Sequence, residues 1–145
     1  MDSKILIELA AKKDIDEILQ LQKQIYRVDN ISPNAHETLL NQIKDETCDV
    51  VVVKDNAKIL ATATIYYINV ALRGTPYGLL EGLVVHETHR GKGIGTMFIK
   101  KCIEIARDKK CYKLIFTSGD DRSHIHHFYE KLGFKKWGCE FRMDL

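Results

Sequence analysis

The chain has 145 residues, of which 45% are apolar and 29% charged, with a formal net charge of +2. A chain of this length buries roughly 68–70% of the surface its unfolded form exposes, so one domain with its own core is expected over residues 1–145, and disordered and fibrous classes are excluded. The charge lacks the basic excess that contacts along a nucleic acid need, and the run Ile5 to Ala10 is broken by Glu8 and followed by Lys12-Lys13-Asp14, too short and too charged for a signal peptide or membrane span.

A cytoplasmic protein with neither nucleic acid nor membrane as partner is therefore expected. Cys48, Cys102, Cys111 and Cys139 show neither a C-x-x-C pair nor zinc-ligand spacing, which predicts free, mostly buried thiols and no metal.

In chain order, Lys4 to Leu9 reads as a short strand, and Asp14 with Glu17 three residues later reads as a helix start. Ile15, Ile18, Leu19, Ile25 and Tyr26 then recur at helical spacing. Ser32-Pro33 signals a second helix, with proline at its first position and Leu39, Leu40 and Ile43 facing inward. Val50 to Val53, a polar turn at Lys54-Asp55-Asn56-Ala57, and the β-branched and aromatic run Ile59 to Val70 predict a hairpin.

After a turn at Arg73-Gly74-Thr75-Pro76, Leu79 to Val85 reads as a strand that passes through Gly91-Lys92-Gly93-Ile94-Gly95 into an amphipathic helix. That helix carries Ile94, Met97, Phe98, Cys102, Ile105 and Ala106 on its apolar stripe. Lys113 to Thr117 is a fifth expected strand and Ser123 to Leu132 a short helix ended by Gly133. Phe134 to Leu145 holds the last one or two strands. The fold class is α/β.

A glycine-rich turn between strand and helix aims backbone N–H groups and the positive end of the helix dipole at one point, which binds an anion. A nucleotide phosphate, the pyrophosphate of coenzyme A and a simpler anion all satisfy that description. The turn is not a Walker A loop, because Lys92 is followed by Gly93, and it fits a dinucleotide fingerprint poorly, because Thr96 stands where the third glycine belongs. What remains is Arg90-Gly91-Lys92-Gly93-Ile94-Gly95, an R-x-x-G-x-G sequence.

The stretch LEGLVVHETHRGKGIG resembles the coenzyme-A-binding motif of the GNAT superfamily of N-acetyltransferases, and HFYEKLGF, from His127 to Phe134, resembles its second signature. The order of elements is similar along nearly the whole chain. The resemblance implies a central, twisted, mixed sheet of six to seven strands flanked by about four helices. It also implies acetyl-coenzyme A as cosubstrate, held through the backbone of Leu83, Val84 and Val85 like an added strand. Arg90, Gly91, Lys92, Gly93, Ile94, Gly95 and Thr96 would cradle the pyrophosphate, where a Cβ at Gly93 or Gly95 would intrude.

By the same resemblance Tyr129 would protonate the departing thiolate, and a strand N–H near Leu83 to Val85 would polarise the carbonyl. A strand carboxylate would receive the amine's proton. Glu81 is the candidate, sharing a face with Leu83 if no bulge intervenes; the alternative is that it pairs with or orients the substrate. Arg122 stands where relatives have a cofactor-contacting asparagine; its guanidinium would bind a cofactor phosphate or an anionic substrate, unless it is a surface cation beside Asp120 and Asp121.

Of His124, His126 and His127, only His124 and His127 share a helix face, and His124 is the better placed for a cofactor contact. The family's acceptor pocket corresponds to the stretch from Tyr26 to His36. The resulting expectation is acetylation of the primary amine of a small molecule, such as an amino sugar, polyamine, aminophosphonate or amino acid derivative. Acetylation of a protein N-terminus or lysine, and a noncatalytic acetyl-coenzyme A-binding module, are the alternatives, and a homodimer built through the late strands is in keeping with the resemblance.

Overall fold

Val50 to Val53 form the buried part of an inner strand, an uninterrupted β-branched run suited to burial on both faces. In the computed structural model, which describes residues 3–26 and 28–145, β2 (Cys48–Asp55) lies between β1 (Ile5–Leu9) and β3 (Lys58–Val70), and Val51, Val52 and Val53 are fully buried. The sheet continues through β4 (Thr75–Val85) to β5 (Leu114–Ile115), in the order β1-β2-β3-β4-β5. The first four strands are antiparallel neighbours and β5 joins β4 in parallel, so the sheet is mixed.

One face is covered by α1 (Ile15–Gln22) and α2 (Ala35–Lys44), with Ile15, Ile18, Leu21 and Leu39 packed against Val50, Val52, Ile59 and Val84. Full burial of each such side chain contributes about 1.5–3 kcal/mol. α3 (Ile94–Asp108) packs against β3 and β4 and buries Ile94, Phe98, Ile99, Cys102 and Ala106. At about 100° per residue the centre of this stripe lies between Phe98 and Cys102, which turns Met97 outward and draws in Ile99. Met97 is accordingly exposed, contrary to the expected stripe.

Several local expectations are corrected. Asp14 does not cap α1 with its side chain; its Oδ2 accepts the Ala11 N–H at 2.8 Å, and the carboxylate faces Lys54. Glu17 instead accepts the Ile59 N–H at 2.7 Å. Pro33 precedes α2 rather than opening it: Ala35 N–H bonds Ser32 O, and Asn34 is the N-cap. Lys54 belongs to β2, not to the hairpin turn. A bulge in β3 sets Lys54 opposite Ile59 where Val53 faces Ala61, and Ile59 thereby rotates onto the α1 face beside it.

By its contacts the chain divides into two compact units, Met1–Ile115 and Phe116–Leu145. The second contains α4 (Ser123–Lys131), ended by Gly133 at φ +98°, and an aromatic cluster of Phe116, Tyr129 and Phe134. Residues 135–145 form no regular element, and β5 has two residues where five were expected. The sheet therefore has five strands rather than six to seven: a strand exists only as part of a ladder, and beyond Phe134 no ladder partner is present among the described residues. All four cysteines are free, with Cys48 and Cys102 buried, Cys111 half-buried and Cys139 exposed. Among the described residues no helix is long and apolar enough to cross a membrane.

Candidate functional site

β4 changes face partway along. Opposite β3 its register runs from Leu79 against Tyr66 and Glu81 against Thr64 to Val84 against Thr62, so two residues of β4, Gly82 and Leu83, stand opposite Ala63 alone. Gly82 absorbs the extra residue at φ +65°, a conformation that a Cβ disfavours. Directly opposed residues share a face, so Glu81 and Val84 both lie on the α1 and α2 side. The shared face expected for Glu81 and Leu83 is thus lost to the bulge, and Leu83 turns with Val85 to the other side.

The bulge also sets the direction of the backbone. His86 N–H bonds Leu60 O of β3, so by alternation the polar groups of Val85 and Leu83 point to the opposite edge of β4. β5 pairs with that edge at Gly78 and Leu79 and no further, which leaves it without a strand partner among the described residues from Leu80 to Val85. Arg90 Nε donates to Val85 O at 2.9 Å on this edge. The edge has the length and exposure to pair with an extended ligand.

Glu87 to His89 form one 3-10 turn after β4, anchored where Glu87 N–H donates to Gln24 Oε1 at 2.9 Å. Thr88 Oγ1 lies 2.8 Å from His86 Nδ1 and 2.9 Å from His89 Nδ1, a cluster that sequence reasoning missed. Desolvation, with Lys58 and Lys92 nearby, holds His89 below the usual imidazole range.

Arg90, Gly91, Lys92 and Gly93 are exposed, with Gly91 at φ +73° and Gly93 at φ +83°. An ideal Cβ at either glycine meets no atom within 4 Å, so within the chain it is the left-handed backbone and not crowding that calls for glycine. Gly93 is the N-cap of α3 and offers no side-chain cap. The N–H groups of Ile94, Gly95 and Thr96 are left as donors at the positive end of a 15-residue helix. This donor set beside two cations fits the pyrophosphate of coenzyme A, and the edge of β4 fits its extended arm.

Two grooves flank the first unit. The larger, about 550 Å³, runs along α3 past Lys100, Lys101 and Glu104 to Ile7 and shares only Gly93 and Thr96 with the turn. The smaller, about 270 Å³, lies between α1 and α2 and carries Gln22, Ser32, Thr38 and Gln42. It adjoins the bulge. An ideal Cβ on Gly82 would lie 3.8 Å from Gln22 Nε2, and Gln42 Nε2 donates to the Tyr66 hydroxyl. Burial is the main cause that pushes the Tyr66 phenol up, and Cys48 and Glu81 add to it, so Glu81 lies near that ring.

Of the expected pocket stretch, Tyr26 and His36 are exposed, and Arg27 lies outside the described residues. Gln22, Gln42 and Tyr66 were missed, although the alternation of Thr62, Thr64 and Tyr66 already placed the ring on one face with the partners of Glu81.

In the second unit Tyr129 packs edge-on against Phe116 at 4.4 Å between ring centroids, and burial pushes its phenol up, with Arg122 acting more weakly in the opposite sense. Arg122 is the N-cap of α4. His124 and His127 are exposed on that helix, whereas the His126 Nε2 lies 2.9 Å from Gly119 O and ties the preceding loop to it. Ser118 Oγ is buried with no hydrogen-bond partner among the described residues, and sequence reasoning passed over it. Among the described residues no three His, Cys, Asp or Glu side chains are grouped to hold a metal ion.

A family model described as acetyltransferase (GNAT) family matches residues 15–134. A glucosamine 6-phosphate N-acetyltransferase of Trypanosoma brucei brucei is 40% identical over 72 residues, which is 50% of this chain and 47% of that protein. A probable glucosamine 6-phosphate N-acetyltransferase of Drosophila melanogaster is 32% identical over 124 residues, covering 80% of this chain and 53% of that protein. The chain thus spans about half the length of these curated relatives. A solved structure of a putative acetyltransferase from Agrobacterium tumefaciens str. C58 superposes with a TM-score of 0.87 at 26% identity, covering 97% of this chain and 99% of that one.

Proposed function

Because the chain belongs to the acetyltransferase (GNAT) family, whose model matches residues 15–134, we propose that it moves an acetyl group from acetyl-coenzyme A to the primary amine of a small molecule by direct attack on the thioester. The observation that carries this reading is the bulged, unpaired edge of β4 leading into a left-handed glycine turn at the uncapped start of α3. The likeness to glucosamine 6-phosphate N-acetyltransferases favours an amino sugar as acceptor.

In this reading the outward polar groups of Leu83 and Val85, flanking Val84, hold the extended arm of the cosubstrate. Arg90 through Gly95, with Thr96, hold its pyrophosphate, and Arg122 and His124 are cofactor contacts as well. Acetyl-coenzyme A supplies an acyl group on a good leaving group, the thiolate. An N–H at the bulge polarises the carbonyl where negative charge develops. Glu81 attracts the acceptor's ammonium group and accepts the proton the amine gives up, directly or through water, and Tyr129 gives a proton to the sulfur as the carbon–sulfur bond breaks. A phenol held above its ordinary range keeps that proton at neutral pH. We place the reaction in the cytoplasm, a compartment that keeps thiols such as the four free cysteines reduced.

The first test is calorimetric binding of acetyl-coenzyme A to the wild type and to Gly93→Val, followed by thiol release across amino sugars, polyamines, aminophosphonates and peptides. Wild-type binding that is lost in Gly93→Val, with turnover of a small amine, supports the reading. A folded wild type that binds no acetyl-coenzyme A overturns it.

A further inference from the structure

Tyr66 and Glu81 face the same way. Opposed residues of β3 and β4 share a face, and Thr64 lies against Glu81 while Tyr66, two residues on, lies against Leu79, so the phenol and the carboxylate are diagonal neighbours on the α1 and α2 side. Such neighbours stand about 7–8 Å apart at the backbone, a span that long side chains cross. Gln42 Nε2 donates to the Tyr66 hydroxyl oxygen, and Cys48, the β2 residue opposite Tyr66, anchors Gln42 through a 3.3 Å hydrogen bond from its Sγ to the Gln42 carbonyl. The phenol oxygen is thereby fixed with its own proton unspent. Among the described residues none accepts that proton, and none pairs with the Glu81 carboxylate. Burial, with Cys48 and Glu81 beside it, holds the phenol above its ordinary range, so it remains a donor at neutral pH.

We propose that Tyr66 selects the acceptor by donating to an oxygen on the carbon next to the one that bears the reacting amine, so that the substrate class is a vicinal amino alcohol. The inference rests on the acetyl-transfer reading, in which Glu81 attracts the ammonium group. A nitrogen held at Glu81 and a neighbouring oxygen held at Tyr66 fix the substrate at two points. A simple amine satisfies Glu81 alone and leaves the half-buried Tyr66 proton without an acceptor once the ligand has displaced water, which weakens its binding. A polyamine, whose protonated nitrogens only donate, leaves Tyr66 in the same position. Along the groove Gln22, Ser32 and Thr38 add amide and hydroxyl groups between Leu19 and Leu39, a lining that suits the further hydroxyls and the C–H faces of a sugar ring.

The test measures kcat/KM at saturating acetyl-coenzyme A for trans-2-aminocyclohexanol and for cyclohexylamine, which differ by the one hydroxyl, with wild type and Tyr66→Phe and with circular dichroism to confirm folding. The wild type is expected to prefer the amino alcohol on the order of 10–100-fold, and Tyr66→Phe to bring that preference below about threefold by removing the amino alcohol's advantage. A wild type that acetylates amines without this preference overturns the proposal, and that arm needs no variant. So does a Tyr66→Phe enzyme whose two rates fall together, since a merely structural phenol affects both acceptors alike. A wild type that binds acetyl-coenzyme A and acetylates no amine overturns the acetyl-transfer reading itself, and this inference with it.

Discussion

Lys54 Nζ lies 2.9 Å from Asp14 Oδ1, and both side chains are only 7% exposed, so a buried ion pair ties the inner strand β2 to the residue that starts α1. Glu8 adds a second, more exposed carboxylate at 2.8 Å. Removing one member of such a pair strands the other in an apolar setting. Lys54→Met is expected to cost about 3 kcal/mol and roughly 10 °C in Tm, and Lys54→Met with Asp14→Leu to recover most of it. Burial alone would lower the lysine pKa, but the bonds to Glu8 and Asp14 outweigh it and the net shift is upward. The stabilisation from that shift is therefore complete below the ordinary lysine value of 10.5 and is lost only as pH climbs through the folded one. Chemical denaturation between pH 7 and 10 checks this, since no loss traceable to Lys54 belongs in that window.

Gly82 holds the bulge at φ +65° with ordinary space around it, the nearest atom to a Cβ being Gln22 Nε2 at 3.8 Å. Gly82→Ala thus meets backbone strain and no collision, and is expected to cost about 1–2 kcal/mol. If the chain relieves the strain by straightening β4, Leu83 and Val85 lose their outward orientation, and under the proposed function acetyl-coenzyme A binding falls further than stability does. Paired measurements of Tm and calorimetric affinity distinguish the two effects.

The layered α/β architecture was legible because the unbroken run Val50 to Val53 and the apolar stripe around Phe98 announce burial, and the glycines from Gly91 to Gly95 announce the turn between strand and helix. What escaped depends on partners distant in the chain. Lys54 is buried only because Glu8 and Asp14 arrive beside it, and no local pattern reveals that. Gly82 between Glu81 and Leu83 reads as an ordinary strand residue, so the bulge that separates those two was named as a condition and not foreseen. Trp137 to Leu145 has the alternation of a strand, but the ladder that would make it one is missing from the described residues.

Gln42 donates to the Tyr66 hydroxyl at the inner end of the groove between α1 and α2, which leaves the Tyr66 proton free to be donated toward Glu81 or an acceptor. Gln42→Leu removes the donor that orients the ring. Under the proposed function KM for the amine is expected to rise about tenfold with acetyl-coenzyme A affinity unchanged, because the cosubstrate edge of β4 lies on the far side of the bulge. Under the same reading Glu81→Gln is expected to lower kcat by about 10²-fold or more. Steady-state kinetics with both substrates varied check these outcomes, and a Gln42→Leu enzyme with unaltered KM would remove the groove from acceptor binding.

Tyr129 sits edge-on against Phe116, and the burial that this packing brings raises its pKa above the ordinary tyrosine value of 10.0. Its folded-state preference for the protonated form stabilises fully below 10.0 and is lost as pH rises through the shifted value. Under the proposed function it therefore remains a competent proton donor across the neutral range, and the alkaline limb of kcat due to its ionisation is expected above pH 10. Arg122 pulls the other way, so Arg122→Gln should move that limb higher still. Tyr129→Phe keeps the ring contacts with Phe116 and Phe134 and is expected to leave Tm within about 2 °C while lowering kcat by about 10²-fold or more. The pH profile distinguishes the proposed proton donor from a packing residue: a purely structural Tyr129 would let the phenylalanine variant keep both its rate and its alkaline limb.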